Sequence, residues 1–322
     1  MKIKVSFKDV LTLSKNTFGQ FMENNSFRLA AALAYNTIFS LPPLLLIVIA
    51  AAGAIWGEEA ATNSLAHEME GMVGKEAALS IQEMIKNVNK TQAGGIASAI
   101  GIATLVFAAT TFFVTLQDSL NSIWNVKAKP KNNIIKVAKD RFLSFGLILS
   151  IAFLMLISFV ISAVLSFFTG YLESIFPAGA VVFIHILNIS VSLAFITLLF
   201  ALIYKYLPDA IIRWKDVWVG SFLTALLFVL GRSLISWYLG QGDIGSAYGA
   251  AGSIIIILVW IYYSSLIIFF GSEFTQQYAN QFGERIRPKS HAVEIEIREV
   301  PFESSDDQKS GRPPAQGRFR PA

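Results

Sequence analysis

Residues 247–275 read AYGAAGSIIIILVWIYYSSLIIFFGSEFT, and how they are read decides the fold. Between Asp243 and Glu273 no residue carries a formal charge at neutral pH. The run of about 29 apolar or small residues exceeds the ~20 that a helix needs to cross a bilayer. Small residues gather at its start, among them Gly245, Ala247, Gly249, Ala250, Ala251 and Gly252. There another helix can come close and be held by van der Waals packing rather than by hydrophobicity. Trp260, Tyr262 and Tyr263 fall mid-span, deeper than the interfacial belt where such rings usually anchor. Their polar atoms need partners inside the protein, so the helix is expected in a bundle.

Working outward, the 322 residues are 54% hydrophobic and only 15% charged, against roughly 25% charged in a soluble domain. The apolar residues come in long blocks, which points to a polytopic membrane protein. Six spans are expected, at about 29–56, 94–117, 142–171, 178–204, 217–239 and 244–272. Together they make an all-α, six-transmembrane-helix bundle over residues 29–280. No cysteine is present, which removes disulfides, thiolate catalysis and cysteine metal sites. No cleavable signal peptide is evident, because residues 1–28 are charged and amphipathic.

Within residues 1–28, Phe7, Val10, Leu11, Phe18, Phe21 and Met22 recur at helical spacing with Lys8, Lys15 and Asn16 between them. That pattern suits a helix lying on the membrane surface or packed on a neighbouring loop. Residues 58–90, the most acidic segment between spans, suggest two short helices in an extracytoplasmic loop, broken between Gly71 and Gly74. Residues 283–322 have the composition of a disordered cytoplasmic tail. Lysines and arginines fix the orientation. The N-terminal segment and the loops after the second and fourth expected spans carry fourteen, against three on the other side. The positive-inside rule then puts both termini in the cytoplasm of a bacterial inner membrane.

No P-loop, H-E-x-x-H or G-x-S-x-G motif is present. His67, His185 and His291 are scattered over a loop, a span and the tail, with no spacing that would make a metal site. The chain is therefore expected not to be an enzyme and to carry no cofactor or metal. Pro42 and Pro43 remove two backbone donors near the middle of the first span, so a kink or break is expected there. Such a break either exposes carbonyls to a substrate cavity or is only a packing feature. Arg232, roughly 24 Å along the fifth span at ~1.5 Å per residue, needs a carboxylate, carbonyls or an anionic headgroup. Asp243 and Glu173 are the candidate carboxylates. Glu273 is read as a proton or cation site, or as a solvated helix-end carboxylate. Asn36, Thr111, Gln117, Asn121, His185, Asn188, Tyr248 and Tyr262 complete the candidates for a polar cavity, with interhelical hydrogen bonding as the alternative.

Four blocks carry a family resemblance: AAALAYNTIFSLPPLLL, LQDSLNSIW, YKYLPDAIIRWKDVWVGSFLTALLF and the stretch quoted first. In order and spacing, over about residues 5–280, they resemble the YihY/virulence factor BrkB family, once labelled ribonuclease BN. Asn36 departs from the tyrosine that many members carry. The resemblance implies a six-helix bacterial inner-membrane protein with no settled activity, and transport of lipid or lipopolysaccharide precursors has been suggested for relatives. The old nuclease label finds no metal-ligand cluster here to support it. The expected function is that of a transporter or flippase-like protein for an anionic or amphipathic substrate. The alternative is a membrane scaffold or regulatory protein. Expected partners are membrane lipids, an anionic lipid or headgroup among them, and no nucleic acid; a homo-oligomer stays open.

Overall fold

The computed structural model describes residues 6–57, 96–129, 141–150 except 145, 179–241 and 252–296, with isolated positions at 79, 135 and 138–139. Helix α1 (Phe7–Glu23) is opened by Ser6, whose amide donates to Asp9 Oδ2 at 2.9 Å. It stops at Asn24 and Asn25, where Asn25 takes a left-handed φ of 53°. Leu13, Thr17 and Phe21 form its buried stripe, and Phe7, Val10, Leu11, Phe18 and Met22 stay exposed. The buried stripe packs on the last long helix. A helix forms there, but of the six apolar residues whose spacing suggests it only Phe21 is buried.

Among the described residues five long apolar helices follow: α2 (Ser26–Trp56), α3 (Ile96–Ile123), α4 (Gly179–Tyr206), α5 (Trp214–Gln241) and α6 (Gly252–Phe282). Four carry stretches long and apolar enough to cross a membrane: Ser26–Ile47, Ile189–Tyr206, Trp214–Ile235 and Ile254–Phe282. A shorter apolar helical stretch occupies Arg141–Ser150. The rest of the expected third span, the short helices within 58–90, and Asp243 and Tyr248 lie outside the described residues.

Packing is sequential and tight. Helix α2 lies against α3 and α6, and α5 lies against both α4 and α6. On α5, Trp218, Phe222, Leu226, Leu230 and Leu234 recur every four residues on the exposed side, as a lipid-facing stripe requires. Gly220 and Gly231 meet α6 from another side of α5. A Cβ at Gly220 would overlap Thr275, and one at Gly231 would overlap Tyr263. From α6, Gly271 makes the reciprocal approach to Thr224. Small residues let two backbones approach in lipid, where no hydrophobic force draws them together. The sequence places that role at Gly245–Gly252, of which 245–251 lie outside the described residues; among the described residues the close approach is made by Gly220, Gly231 and Gly271.

One expectation is narrowed and another corrected. Of the kink or break expected at Pro42 and Pro43, the break does not occur, since α2 runs through both. Proline φ is already helical, and surrounding helices hold the turn in place although two backbone bonds are lost. Residues 284–296, assigned to the disordered tail by composition, are structured. Strand β1 (Val126–Ala128) pairs with β4 (Ala292–Glu294), and β2 (Ala210–Ile211) pairs with β3 (Arg287–Pro288), both antiparallel. Their backbone donors are satisfied by distant loops: Lys129 N donates to His291 O at 2.8 Å, Lys289 N to Asp209 O at 2.9 Å and Ile295 N to Asn125 O at 2.8 Å. Composition cannot reveal partners that lie 80 or more residues away. Residues 297–322 lie outside the description.

Candidate functional site

The clasp formed by β1 to β4 gathers one end of the bundle around Asp209. This carboxylate follows Pro208 in the turn between α4 and α5 and is almost fully buried. Asn121, on the last turn of α3, grips it twice: Asn121 Nδ2 donates to Asp209 Oδ2 at 3.0 Å, and Asp209 N donates to Asn121 Oδ1 at 2.8 Å. Gln117, one turn earlier, adds a long contact of 3.4 Å from Nε2 to the same oxygen. His291 Nε2 meets Asp209 Oδ1 at 2.8 Å, and Lys289 Nζ donates to Pro208 O at 2.6 Å. A buried carboxylate is costly unless its lone pairs are filled, and here α3 and the segment around His291 both supply partners. In the same turn, Arg213 lies 3.2 Å from Asp216 and 2.8 Å from Glu284. The hydrogen bond to Asp216, followed by the charges of both carboxylates, holds its guanidinium above its ordinary pKa.

A second polar contact joins α1 to α6. Glu273 is fully buried, and Asn24 Nδ2 donates to its Oε1 at 2.6 Å. Its Oε2 has no partner among the described residues. A solvated helix-end carboxylate, one of the two readings given to Glu273, is therefore excluded.

Deeper along the helices lies a cavity of about 260 Å³ bounded by α2, α3, α4, α5 and α6. Leu44, Phe113, Phe200, Phe228, Ile257 and Trp260 give it an apolar wall. Four hydroxyls among the described residues line it, and all but that of Ser264 are committed to their own helices. Thr37 donates to Leu33 O at 2.6 Å, Ser40 to Asn36 O at 2.9 Å and Ser265 to Ile261 O at 2.7 Å. Trp260 Nε1 is buried with no partner among the described residues, against the expectation that mid-span polar atoms find one. Edge-to-face rings run from Trp260 to Phe228 and on to Phe200, which stacks on Tyr204. Tyr204 OH donates to Ile268 O at 2.7 Å and lies 3.1 Å from Thr224 Oγ1. This buried tyrosine passes the aromatic ladder on to Trp124 at the clasp, with ring centroids 6.5 Å apart.

The expected candidates therefore fall into separate places. Gln117 and Asn121 meet at Asp209. Asn36 links α2 to α3 through Thr115 at 3.2 Å. Thr111 and Thr110 receive Arg141 Nη1 at 3.0 and 2.8 Å, and Phe107 O receives it at 2.9 Å. Arg141 thus reaches about 24 Å back along α3 from Ile123 at ~1.5 Å per residue, rather than ending a basic loop. Pro42 and Pro43 flank the apolar cavity, whose wall includes Ser40, Leu41 and Leu44. Tyr262 packs on the core. Arg232 is half-buried on α5, has no ion pair among the described residues and does not line that cavity. His185 and Asn188 lie on α4, but their side chains fall outside the description, as do Asp243 and Tyr248. No group of three or more His, Asp or Glu residues converges as a metal would need, among the described residues.

Asp209, Asn24, Tyr204 and the glycine–threonine contacts escaped the sequence reading. For Asp209 a signal existed: a carboxylate beside proline, in a turn too short to reach far into water. The glycines carried one too, in the G-x-x-x-T spacing shared by Gly220–Thr224 and Gly271–Thr275.

Comparison with known proteins gives a consistent result. The family model described as Virulence factor BrkB matches residues 17–296, which includes the clasp. A UPF0761 membrane protein of Haemophilus influenzae (strain 86-028NP) is 26% identical over 278 residues, covering 83% of this chain and 94% of that protein. One from Verminephrobacter eiseniae (strain EF01-2) is 29% identical over 254 residues, covering 76% of this chain and 57% of that protein. A third, from Pseudomonas paraeruginosa (strain DSM 24068 / PA7), is 26% identical over 270 residues, covering 83% and 62% respectively. The chain thus spans less than two thirds of the length of the last two. No solved structure matches the chain.

Proposed function

The chain belongs to the virulence factor BrkB family of membrane proteins, and on that premise we propose that it is a transporter or flippase-like protein for an amphipathic, lipid-like molecule. In this reading it lies in the bacterial inner membrane with six spans and both termini in the cytoplasm, and it is not an enzyme. The five long apolar helices and the shorter apolar helical stretch Arg141–Ser150 among the described residues support the count. The lysine and arginine distribution supports the orientation.

One observation carries the choice of substrate: the cavity of about 260 Å³ among the long helices is lined by rings and branched aliphatics. A polar solute would lose its hydration there without replacement, whereas an acyl or isoprenoid chain loses nothing. Trp260 Nε1, unpaired beside it, can donate to an ester or hydroxyl oxygen.

The test is purified protein in vesicles containing fluorescent-tailed phospholipids. The unaltered protein should speed movement between leaflets, and Ile257→Trp, which fills the cavity, should slow it at least tenfold. The second reading, a scaffold or regulator, draws on the buried packing between the cavity and the clasp, where Tyr204 stacks on Phe200 and donates to Ile268 O. Vesicles in which neither lipid nor solute moves, with no lipid retained through purification, would favour it.

A further inference from the structure

At the clasp end, below the apolar cavity, sits a polar hollow built from carboxamides. Gln276 and Asn280 project from one face of α6 a turn apart, and Asn125 stands opposite them after α3. Gln20 from α1, Arg285 and Glu294 complete the rim. The inner hollow has a volume of about 150 Å³ and opens into a larger polar cleft of about 1010 Å³ that shares Gln20, Asn125, Arg285 and Glu294 with it. Gln276 is only 9% exposed, and its side chain makes no hydrogen bond to the described residues. The Asn125 and Asn280 side chains are likewise uncommitted among the described residues. Trp124 contributes a ring to the wall, because its Nε1 is already given to Ser272 O at 3.2 Å.

The chemistry of these groups narrows what could occupy the hollow. Its one guanidinium, Arg285, is engaged by Glu294, and Glu23 and Glu296 add two further carboxylates to the cleft. An anion would be repelled. A metal ion lacks the converging carboxylates and imidazoles it would need among the described residues. An alkyl chain would strand the amides without partners. Each carboxamide offers a donor and an acceptor side by side, as a hydroxyl does, and an aromatic face suits the C–H side of a ring of hydroxyls.

We propose that this hollow is a binding site for a neutral, hydroxyl-rich group of the sugar or polyol class, held by Gln276, Asn280 and Asn125 against the Trp124 ring. The site is independent of the lipid-movement reading, since such a group can arrive as a free sugar or as the headgroup of a glycolipid. Water alone is the competing occupant, with room for roughly five molecules at ~30 Å³ each.

The test uses the full chain, purified in a detergent without a sugar headgroup, such as lauryldimethylamine oxide. One arm titrates D-glucose and glycerol. The other compares phosphatidylcholine nanodiscs with and without monoglucosyl diacylglycerol. Thermal stability and tryptophan fluorescence are read in both. Saturable binding in the first arm identifies a free sugar or polyol, and saturation only in the second identifies a headgroup. In either case Gln276→Leu and Asn125→Gly should weaken binding at least tenfold. Asn125→Gly suits the native φ of 55° at that residue, so it carries the test if Gln276→Leu fails to fold. Ile257→Trp, in the apolar cavity, should leave this binding unchanged while stopping lipid movement, which separates failure here from failure of the transport reading. If neither arm saturates, or if both variants bind like the unaltered protein, the hollow is a hydrated gap and the proposal is overturned.

Discussion

Gly220 on α5 lies against Thr275 on α6 so closely that a Cβ there would come within 2.8 Å of the threonine Cβ. The two helices repeat the arrangement in reverse, with Gly271 of α6 against Thr224 of α5. Each threonine hydroxyl donates to the carbonyl of the glycine one turn before it on its own helix, at 2.7 Å for Thr224 and 2.6 Å for Thr275. That bond turns the hydroxyl inward and makes the threonine compact enough for its neighbour. The pairing fixes the register of α5 on α6, and with it the positions of Phe228 and Trp260 on the cavity wall.

A methyl group added at that crossing should be costly. Gly220→Ala is expected to destabilise the protein by about 1–3 kcal/mol, as over-packing does elsewhere. Thr275→Ala in the same chain should restore most of the loss. Thermal denaturation in detergent of the two single variants and the double variant measures this coupling; strictly additive losses would deny the contact.

The carboxylate at the clasp is expected to behave differently. Asp209→Ala keeps the backbone N–H that Asn121 Oδ1 accepts but leaves buried Asn121 Nδ2 without its acceptor, at a cost of about 1–3 kcal/mol. Besides a lower melting temperature, cleavage by added protease within residues 284–296 should become faster, because His291 loses its carboxylate partner. Asp209→Asn, which keeps an acceptor oxygen, should lie between the two. Unchanged protection of that segment in Asp209→Ala would show that the strands alone hold it.

For α2 the expected sign is reversed. Pro42→Ala and Pro43→Ala each restore a backbone donor to a helix that is already continuous. The protein should become more stable, by up to ~3 kcal/mol per site. If the free carbonyls serve transport, lipid movement in vesicles should fall as stability rises. If they serve only packing, activity should persist. The two readings of the proline pair differ in that single assay.

Glu273 offers a comparison of shape against chemistry. Glu273→Gln keeps an oxygen to accept from Asn24 and should fold like the unaltered protein. Glu273→Ala removes the acceptor and should cost about 1–3 kcal/mol, seen as a lower melting temperature and looser packing of α1 on α6. Equal stability of the two variants would mean that the hydrogen bond contributes nothing.

The helices themselves were readable because lipid imposes a blunt rule: an uncharged run of sufficient length must cross, and its backbone must close its own hydrogen bonds. The run ending at Glu273 obeys it. What the residues do to one another was far less readable. Gln117 and Asn121 were named as interior polar groups, but their partner is Asp209, about 90 positions away, and no spacing rule joins them. The order of residues 284–296 was hidden for the same reason, since a strand of two or three residues has no periodicity to detect. Arg232 drew attention because charge in a span is rare, yet it stands apart from the described cavities, while uncharged Trp260 and Gln276 line them. Charge is conspicuous in an apolar sequence, and carboxamides and indoles are not.

The strands that tie off the bundle join residues 126–128 and 210–211 to residues 292–294 and 287–288, which follow every described helix in the sequence. Until those later residues leave the ribosome, the segments after α3 and α4 lack the strands they pair with. Their arrival supplies the latch. A molecule cut short before residue 284 is thus an unlatched one, recognisable to the quality-control proteases of its membrane by the loose ends it leaves in water.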